Sequence, residues 1–194
     1  LKKTQREIMR IVGGKNRGRA LKAPKGQATR PTSDRTRESV FNILTSRLGG
    51  GFQDLSVVDL FAGTGALGLE ALSRGARQAL LVDNDRAAIK IIEENARELG
   101  EAENVAILKR EATNLGPLPA QSIPAGLVFL DPPYNQSLVE PALISLQDNN
   151  WLAEDALCIV EVDAKEIIVI PDNFTMVDQR KYGKTAIHIL KFAG

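Results

Sequence analysis

The residues best equipped for chemistry are Asp131-Pro132-Pro133-Tyr134. They follow a short apolar run, Leu127 to Leu130, that reads as a buried parallel strand. A carboxylate, two prolines and a tyrosine therefore stand at a strand's carboxyl end, where open α/β sheets build their sites. Neither proline has a backbone N–H, and their fixed φ stiffens the turn. The Asp131 carboxylate and the Pro132 carbonyl are acceptors that could face one amino group. The Tyr134 ring could stack on a flat heterocycle. Such a set suits the grip of a base by its exocyclic NH2. The bland alternative is a rigid turn with no ligand, and the strand-end position weighs against it.

A second constellation lies upstream. Val57 to Gly68 reads as strand, glycine loop and helix, and holds G-x-G-x-x-G at Gly63, Gly65 and Gly68. Alone this admits a dinucleotide site. Asp83 closes the next strand, where an acid can accept hydrogen bonds from ribose hydroxyls of either kind of cofactor. Two features argue against a nicotinamide. Asp59, at the end of its strand, would suit the ammonium of a methionine moiety. A nicotinamide enzyme also has no task for Asp131-Pro-Pro-Tyr. The combination favours S-adenosylmethionine, with no metal. The candidate cofactor set is Asp59, Phe61, Gly63, Gly65, Asp83, Asn84, Glu111 and Ala112. Glu111 either lies near the adenine or is a solvated loop glutamate. Asp85 caps the helix that begins near Arg86, and Asn84 is open between cap and ligand.

The elements that position these groups alternate. Strands are expected at Ser56–Leu60, Ala79–Val82, Val105–Leu108, Leu127–Leu130 and Ala156–Val162. Helices are expected at Leu67–Arg74, Arg86–Leu99 and Leu138–Leu146, with an earlier one from Ser33 or Asp34 to about Leu48. The alternation implies a doubly wound, mostly parallel sheet. Phe174–Lys181 and Thr185–Phe192 flank Tyr182-Gly183-Lys184 and predict a closing antiparallel hairpin. Gly116 to Gly126 reads as a surface loop. Leu1 to Glu7 is polar, with Met9 a candidate natural start.

The net charge of +1 hides an asymmetry. Residues 1–37 hold twelve Lys/Arg against Glu7 and Asp34, giving +10, and the remainder carries −9. A basic arm on an acidic body suggests a polyanion partner. Arg10, Lys15, Arg17, Arg19, Lys22 and Lys25 are interleaved with Gly13, Gly14 and Gly18. Glycines permit close approach of backbone to phosphate, and the cations release its counterions. No aromatic residue precedes Phe41, so base stacking by this arm is not expected. One cysteine, Cys158, excludes an internal disulfide framework and fits a reducing compartment. One histidine, His188, makes a histidine-based metal site or triad unexpected. It alternates with Ile187 and Ile189, which predicts the solvent face of a strand. No apolar stretch approaches the length of a membrane span.

Together these motifs resemble the class I S-adenosylmethionine-dependent methyltransferases. The match narrows to the RsmD family through Arg10-Ile-Val-Gly-Gly, Arg17-Gly-Arg19, Pro24, Arg30-Pro-Thr32, Asp34-Arg35, Arg37-Glu38 and Phe41-Asn42. Asp59-Leu-Phe-Ala-Gly-Thr-Gly65, Asp131-Pro-Pro-Tyr134 and Lys181-Tyr-Gly183 add to it. The resemblance implies a Rossmann-like α/β domain with a seven-stranded sheet over residues 33–194, and a basic β-arm over residues 1–32. It implies methyl transfer to N2 of a guanine in 16S rRNA of the small ribosomal subunit, possible contact with ribosomal proteins, and a cytoplasmic setting. It puts Asp59, Gly63 and Gly65 at the cofactor, Asp83 at its ribose and Asp131 to Tyr134 at the target amine. RNA contacts are expected from Arg10, Lys15, Arg17, Arg19, Lys22 and Arg30. Two departures stand out: Asp83 where members often carry glutamate, and Glu111 where aspartate often precedes alanine. The residues alone leave other readings open. These are an adenine-N6 or glutamine-amide methyltransferase, a non-catalytic RNA-binding assembly factor, and a nicotinamide oxidoreductase.

Overall fold

A computed structural model describes residues 9–23, 33–49 and 51–194. Arg30 and the expected Pro24–Arg30 loop lie outside the described residues, as does Leu1 to Glu7. The body is one seven-stranded sheet in the order β3-β2-β1-β4-β5-β7-β6. Its strands are β1 (Ser56–Leu60), β2 (Gln78–Asp83), β3 (Val105–Lys109), β4 (Ala125–Leu130), β5 (Leu152–Asp163), β6 (Phe174–Tyr182) and β7 (Thr185–Phe192). The first five pair in parallel, and β7 runs antiparallel between β5 and β6. The helices are α1 (Asp34–Arg47), α2 (Ala66–Ser73), α3 (Arg86–Leu99) and α4 (Val139–Asp148). This is the expected Rossmann-like α/β fold with its terminal antiparallel pair.

Local chemistry sets the helix starts. The Ser33 side chain accepts from the Thr36 N–H to cap α1, and Asp85 accepts from Ala87 to cap α3. Gly100, left-handed at φ 74°, ends α3. The central strands are buried on both faces because helices cover both. Val57, Leu81, Leu127, Phe129, Ile159 and Ile187 point toward α1, α2 and α3, where Phe41 stacks against Phe52 and Phe129 at 5.5 and 5.4 Å. Val58, Leu80, Val128, Leu130, Cys158 and Val160 point toward α4 and Trp151. Burying aliphatic side chains of this size contributes about 1.5–3 kcal/mol each. Burial also pushes the Cys158 thiol up to about 12, so it is an inert core residue.

His188 corrects an expectation. Its alternation with isoleucines predicted a solvated face, but β7 lies inside the sheet and His188 is only 4 % exposed. It shares a face with Ala186 and Leu190, both part of the core on the α4 side. Burial lowers its pKa, which keeps the ring neutral.

Residues 9–23 form a short hairpin-like turn docked on the body. Ile11 donates to Arg19 O at 2.9 Å and Leu21 to Met9 O at 2.8 Å, and Ile11 and Leu21 enter the core. Gly14 carries φ 74°, and a Cβ there would collide with the Ser73 carbonyl. The close approach that the sequence suggested for a phosphate is, at Gly14, an approach to α2. The backbone is further tied by Val12 N to Glu70 Oε2 (2.7 Å) and by a pair between Lys22 and Asn95, with N–H to Oδ1 at 2.8 Å and Nδ2 to O at 3.1 Å.

Candidate active site

The parallel strands end on one edge of the sheet, and a cavity of about 700 Å³ opens there. Its size lies within the range of small-molecule sites. It brings together Asp59 near the end of β1 with Phe61 and Gly63 after it, Asp83 at the end of β2 with Asn84 after it, Glu111 and Ala112 beyond β3, and Asp131, Pro132, Pro133 and Tyr134 after β4. Eleven of the twelve residues singled out as catalytic or cofactor-binding therefore line one space. Gly65 is the exception: it sits behind the loop as the left-handed cap of α2. There a Cβ would press Leu69 and Leu81 at 3.2 and 3.3 Å.

Hydrogen bonds fix the loop that follows β1. Asp83 Oδ2 accepts from Gly63 N at 2.8 Å, and its Oδ1 accepts from Asp85 N at 2.9 Å. Asp83 thus ties the glycine loop to the start of α3 and still has lone pairs on the pocket side. Phe61 holds φ 58°, a left-handed conformation uncommon for an aromatic residue. Strain of this kind gathers at sites that the surrounding structure over-determines. Asn84 Nδ2 bridges both Glu111 oxygens at 2.9 and 3.1 Å. That contact orients the Glu111 carboxylate at the wall of the pocket.

Asp59 is 1 % exposed, yet it lines the cavity. Burial pushes its carboxyl up to about 8; the Gly68 N–H at 2.9 Å opposes this, and the charge of Asp83 adds to it. A buried acid with one hydrogen bond is a poor anion alone and a good partner for an incoming cation. Asp131 is raised well above the usual carboxylate range. Burial is the main cause, followed by the nearby charges of Glu161 and Asp59. The residues fit S-adenosylmethionine. Asp59, with no ion pair among the described residues, stands at one end of the loop, Asp83 stands at the end of the next strand, and apolar walls lie between.

Two buried charged residues at the site were not assigned to it from sequence. Arg37, present in the sequence only as part of the Arg37-Glu38 motif, is 2 % exposed and lines the cavity. Its Nη2 donates to Arg10 O at 2.7 Å and Asp34 Oδ1 at 2.6 Å. Glu161, 6 % exposed on β5, shares a smaller adjoining cavity with Arg37, Phe129 and Leu130. A lone carboxylate inside the apolar run Ala156 to Val162 was the signal for it. Met9, Thr64, Arg110, Thr113 and Gln136 also line the main cavity.

Among the described residues, none of the arm cations expected to touch RNA (Arg10, Lys15, Arg17, Arg19 and Lys22) lines it. Arg10 pairs with Asp34 (2.7 Å), Lys15 with Glu101 (2.9 Å), and Lys22 with Glu94 (3.0 Å) and Glu98 (2.6 Å). Arg19 donates to the Glu98 carbonyl. Arg17 is exposed, and its side chain makes no ion pair among the described residues. No cluster of three or more His, Cys, Asp or Glu able to hold a metal occurs among the described residues.

Residues 9–191 match the family model described as Conserved hypothetical protein 95. The chain belongs to this family, the RsmD family that its motifs resemble. A relative in it, Ribosomal RNA small subunit methyltransferase D of Escherichia coli strain K12, is 37 % identical over 182 residues, covering 93 % of this chain and 88 % of the relative. The solved structure of yhhF, a candidate methyltransferase of Escherichia coli, is 34 % identical with a TM-score of 0.81 over 97 % of this chain and 99 % of that one. That of HI0767, a candidate methylase of Haemophilus influenzae, is 28 % identical with a TM-score of 0.78, covering 97 % and 100 %. RsmD-family membership and the fold thus agree across nearly the whole chain.

Proposed function

We propose that this RsmD-family chain transfers a methyl group from S-adenosylmethionine to the exocyclic N2 of a guanine in 16S rRNA of the small ribosomal subunit. The observation that carries the reading is the meeting of Asp59, Gly63 and Asp83 with Asp131-Pro-Pro-Tyr134 around one cavity. The relative named for small-subunit rRNA methylation supports the substrate class. Asp59 would receive the methionine ammonium, Phe61, Gly63, Asn84, Glu111 and Ala112 would surround the adenosine, and Asp83 would hold its ribose. When bound, S-adenosylmethionine supplies an electrophilic methyl on a sulfonium.

The protein's task is then to make a poor nucleophile react. A guanine N2 lone pair is delocalised into the ring. Hydrogen bonds from its N–H groups to the Asp131 carboxylate and the Pro132 carbonyl favour a pyramidal nitrogen and stabilise the positive charge that develops on it. Pro133 holds the turn, and Tyr134 stacks on the base. The alignment of nitrogen, methyl and sulfur lowers the barrier by orientation. The base must be unstacked to enter, as for other enzymes that work on a base. Residues 1–32 act as a basic extension and residues 33–194 as the methyltransferase domain. The arm cations, Arg30 included, contribute to RNA binding.

Radiolabelled methyl transfer to small subunits, naked rRNA, DNA and protein tests this, together with nucleoside mapping by mass spectrometry. The expected product is N2-methylguanosine in 16S rRNA. Label in adenine N6, DNA or protein refutes the substrate. Failure to bind S-adenosylmethionine refutes the enzyme.

A further inference from the structure

We propose that the turn joining β6 to β7, with Lys165 beside it, is a phosphate-binding edge of the site that holds the single-stranded RNA flanking the target base. The inference rests on the methyltransferase reading above and adds a contact surface to it. β7 runs antiparallel to β5, so its first residue, Thr185, pairs with Asp163 at the carboxyl end of β5. The turn therefore emerges on the edge of the sheet where Asp59, Asp83 and Asp131 stand. Ala164 N donates to Lys184 O at 2.8 Å, which clamps the turn to the segment after β5.

One contact ties the turn to the catalytic corner and another ties it to α1. Tyr134 OH lies 3.5 Å from Thr185 Oγ1, and Tyr182 OH lies 2.7 Å from Ser39 Oγ on α1. Asn135, next to Tyr134, donates its N–H to Glu166 Oε2 at 3.0 Å. A base seated against Tyr134 thus has this turn as its neighbour, and the phosphates on either side of that base must pass over it.

The charges suit that backbone. Lys165, Lys181 and Lys184 are exposed, and none makes an ion pair among the described residues. Arg10, Lys15 and Lys22 of the arm have carboxylate partners, whereas these three lysines have none among the described residues. Two acids share the corner, and each is engaged: Asp163 Oδ1 accepts from Lys165 N at 2.9 Å, and Glu166 accepts from Asn135. Ammonium groups on flexible stems hold phosphate as point charges and ask nothing of the sequence. They would fix the strand while Asp131 and Tyr134 select the base.

The test is the triple variant K165Q/K181Q/K184Q of the full chain. It is measured by filter binding to naked 16S rRNA and to small subunits over a series of salt concentrations. If three phosphate contacts are lost, the slope of log K against log salt becomes shallower by about 2, at about 0.7 per contact on single strands. Affinity for S-adenosylmethionine and the melting temperature should stay at wild-type values. An unchanged slope overturns the proposal. So does a defect seen only with small subunits, which would assign the turn to a ribosomal protein. A wild type that binds no rRNA refutes the underlying reading instead, and does so before any substitution is made.

Discussion

Replacing Asp131 by Asn is the sharpest probe of the proposed chemistry. The variant keeps one acceptor oxygen and the shape of the side chain but loses the charge. The carboxyl sits at the end of a buried strand and opens on the cavity. At an effective dielectric of about 20, a charge developing about 4 Å away interacts with it by about 4 kcal/mol. The residual dipole of the amide recovers part of that, so the expected loss is about 2–4 kcal/mol, or about 30- to 1,000-fold in kcat. Affinity for S-adenosylmethionine should change only a few-fold, because Asp59 and Asp83 remain. A second signature is independent of the size of the loss. Burial, then the charges of Glu161 and Asp59, raise the Asp131 carboxyl well above its usual range, so wild-type kcat should climb with pH as Asp131 loses its proton. The kcat profile is the right one to read, since on the proposed assignment the ammonium of bound S-adenosylmethionine would face Asp59 and hold it ionised. In the Asn variant the acid limb should vanish. Single-turnover methylation of small subunits over a pH series measures both. A kcat within about three-fold of wild type, or an acid limb that stays in place, removes Asp131 from the reaction.

Asp59→Asn should weaken S-adenosylmethionine binding and abolish the proton release that calorimetry in buffers of different ionisation enthalpy should detect near pH 7; wild-type release in the variant refutes the ammonium pairing. The same carboxyl titrates near its usual value when unfolded and at about 8 when folded, so unliganded wild type loses stability as pH rises through that window. D59N should lose that dependence and melt higher than wild type at pH 8. Gly68→Ala puts a Cβ into Leu81, which is buried and cannot swing away, and 3.3 Å from Asp59 Cβ. Overpacking at the upper end of its usual range, about 3 kcal/mol, less about 1 kcal/mol of helix propensity leaves about 2 kcal/mol and predicts a fall in melting temperature of about 4–8 °C, and an unchanged melt would show that the contact relaxes.

The elements were legible because each carries its own period. The continuous apolar strands β1, β2 and β4 announce burial on both faces, and the Ser33 and Asp85 caps mark where helices begin. The site was legible for the same reason: acids at strand ends declare themselves against apolar runs. Partnership was not legible, because it depends on tertiary neighbours. Alternation around His188 implies one wet face only if the strand is covered on one side, and nothing local says that core packs on both faces of β7. Arg37 reads as a solvated helix-start cation until Arg10 O and Asp34 close around it. Glu161 sat in plain view within an apolar strand, where a charge needs a reason.

The arm shows how a charge asymmetry can mean two things at once. Four carboxylates, Asp34, Glu94, Glu98 and Glu101, meet the arm cations Arg10, Lys15 and Lys22. Part of the basic segment is therefore spent on docking to the acidic face beside α3. Lys22 is the informative case, because both of its partners are on one exposed helix surface and raise its pKa by hydrogen bonding and charge. Exposed pairs of this kind are weak and screened by salt, so a phosphate can displace them at little cost. The double variant E94Q/E98Q should then bind rRNA more tightly at low salt and with a steeper salt slope. Removing two negative charges would do some of that anywhere on the surface. The decisive comparison adds Lys22→Gln: if Lys22 is the cation released, the third substitution abolishes the gain. If instead the triple variant keeps the full gain, the effect is long-range repulsion, and Lys22 serves to dock the arm rather than to hold RNA.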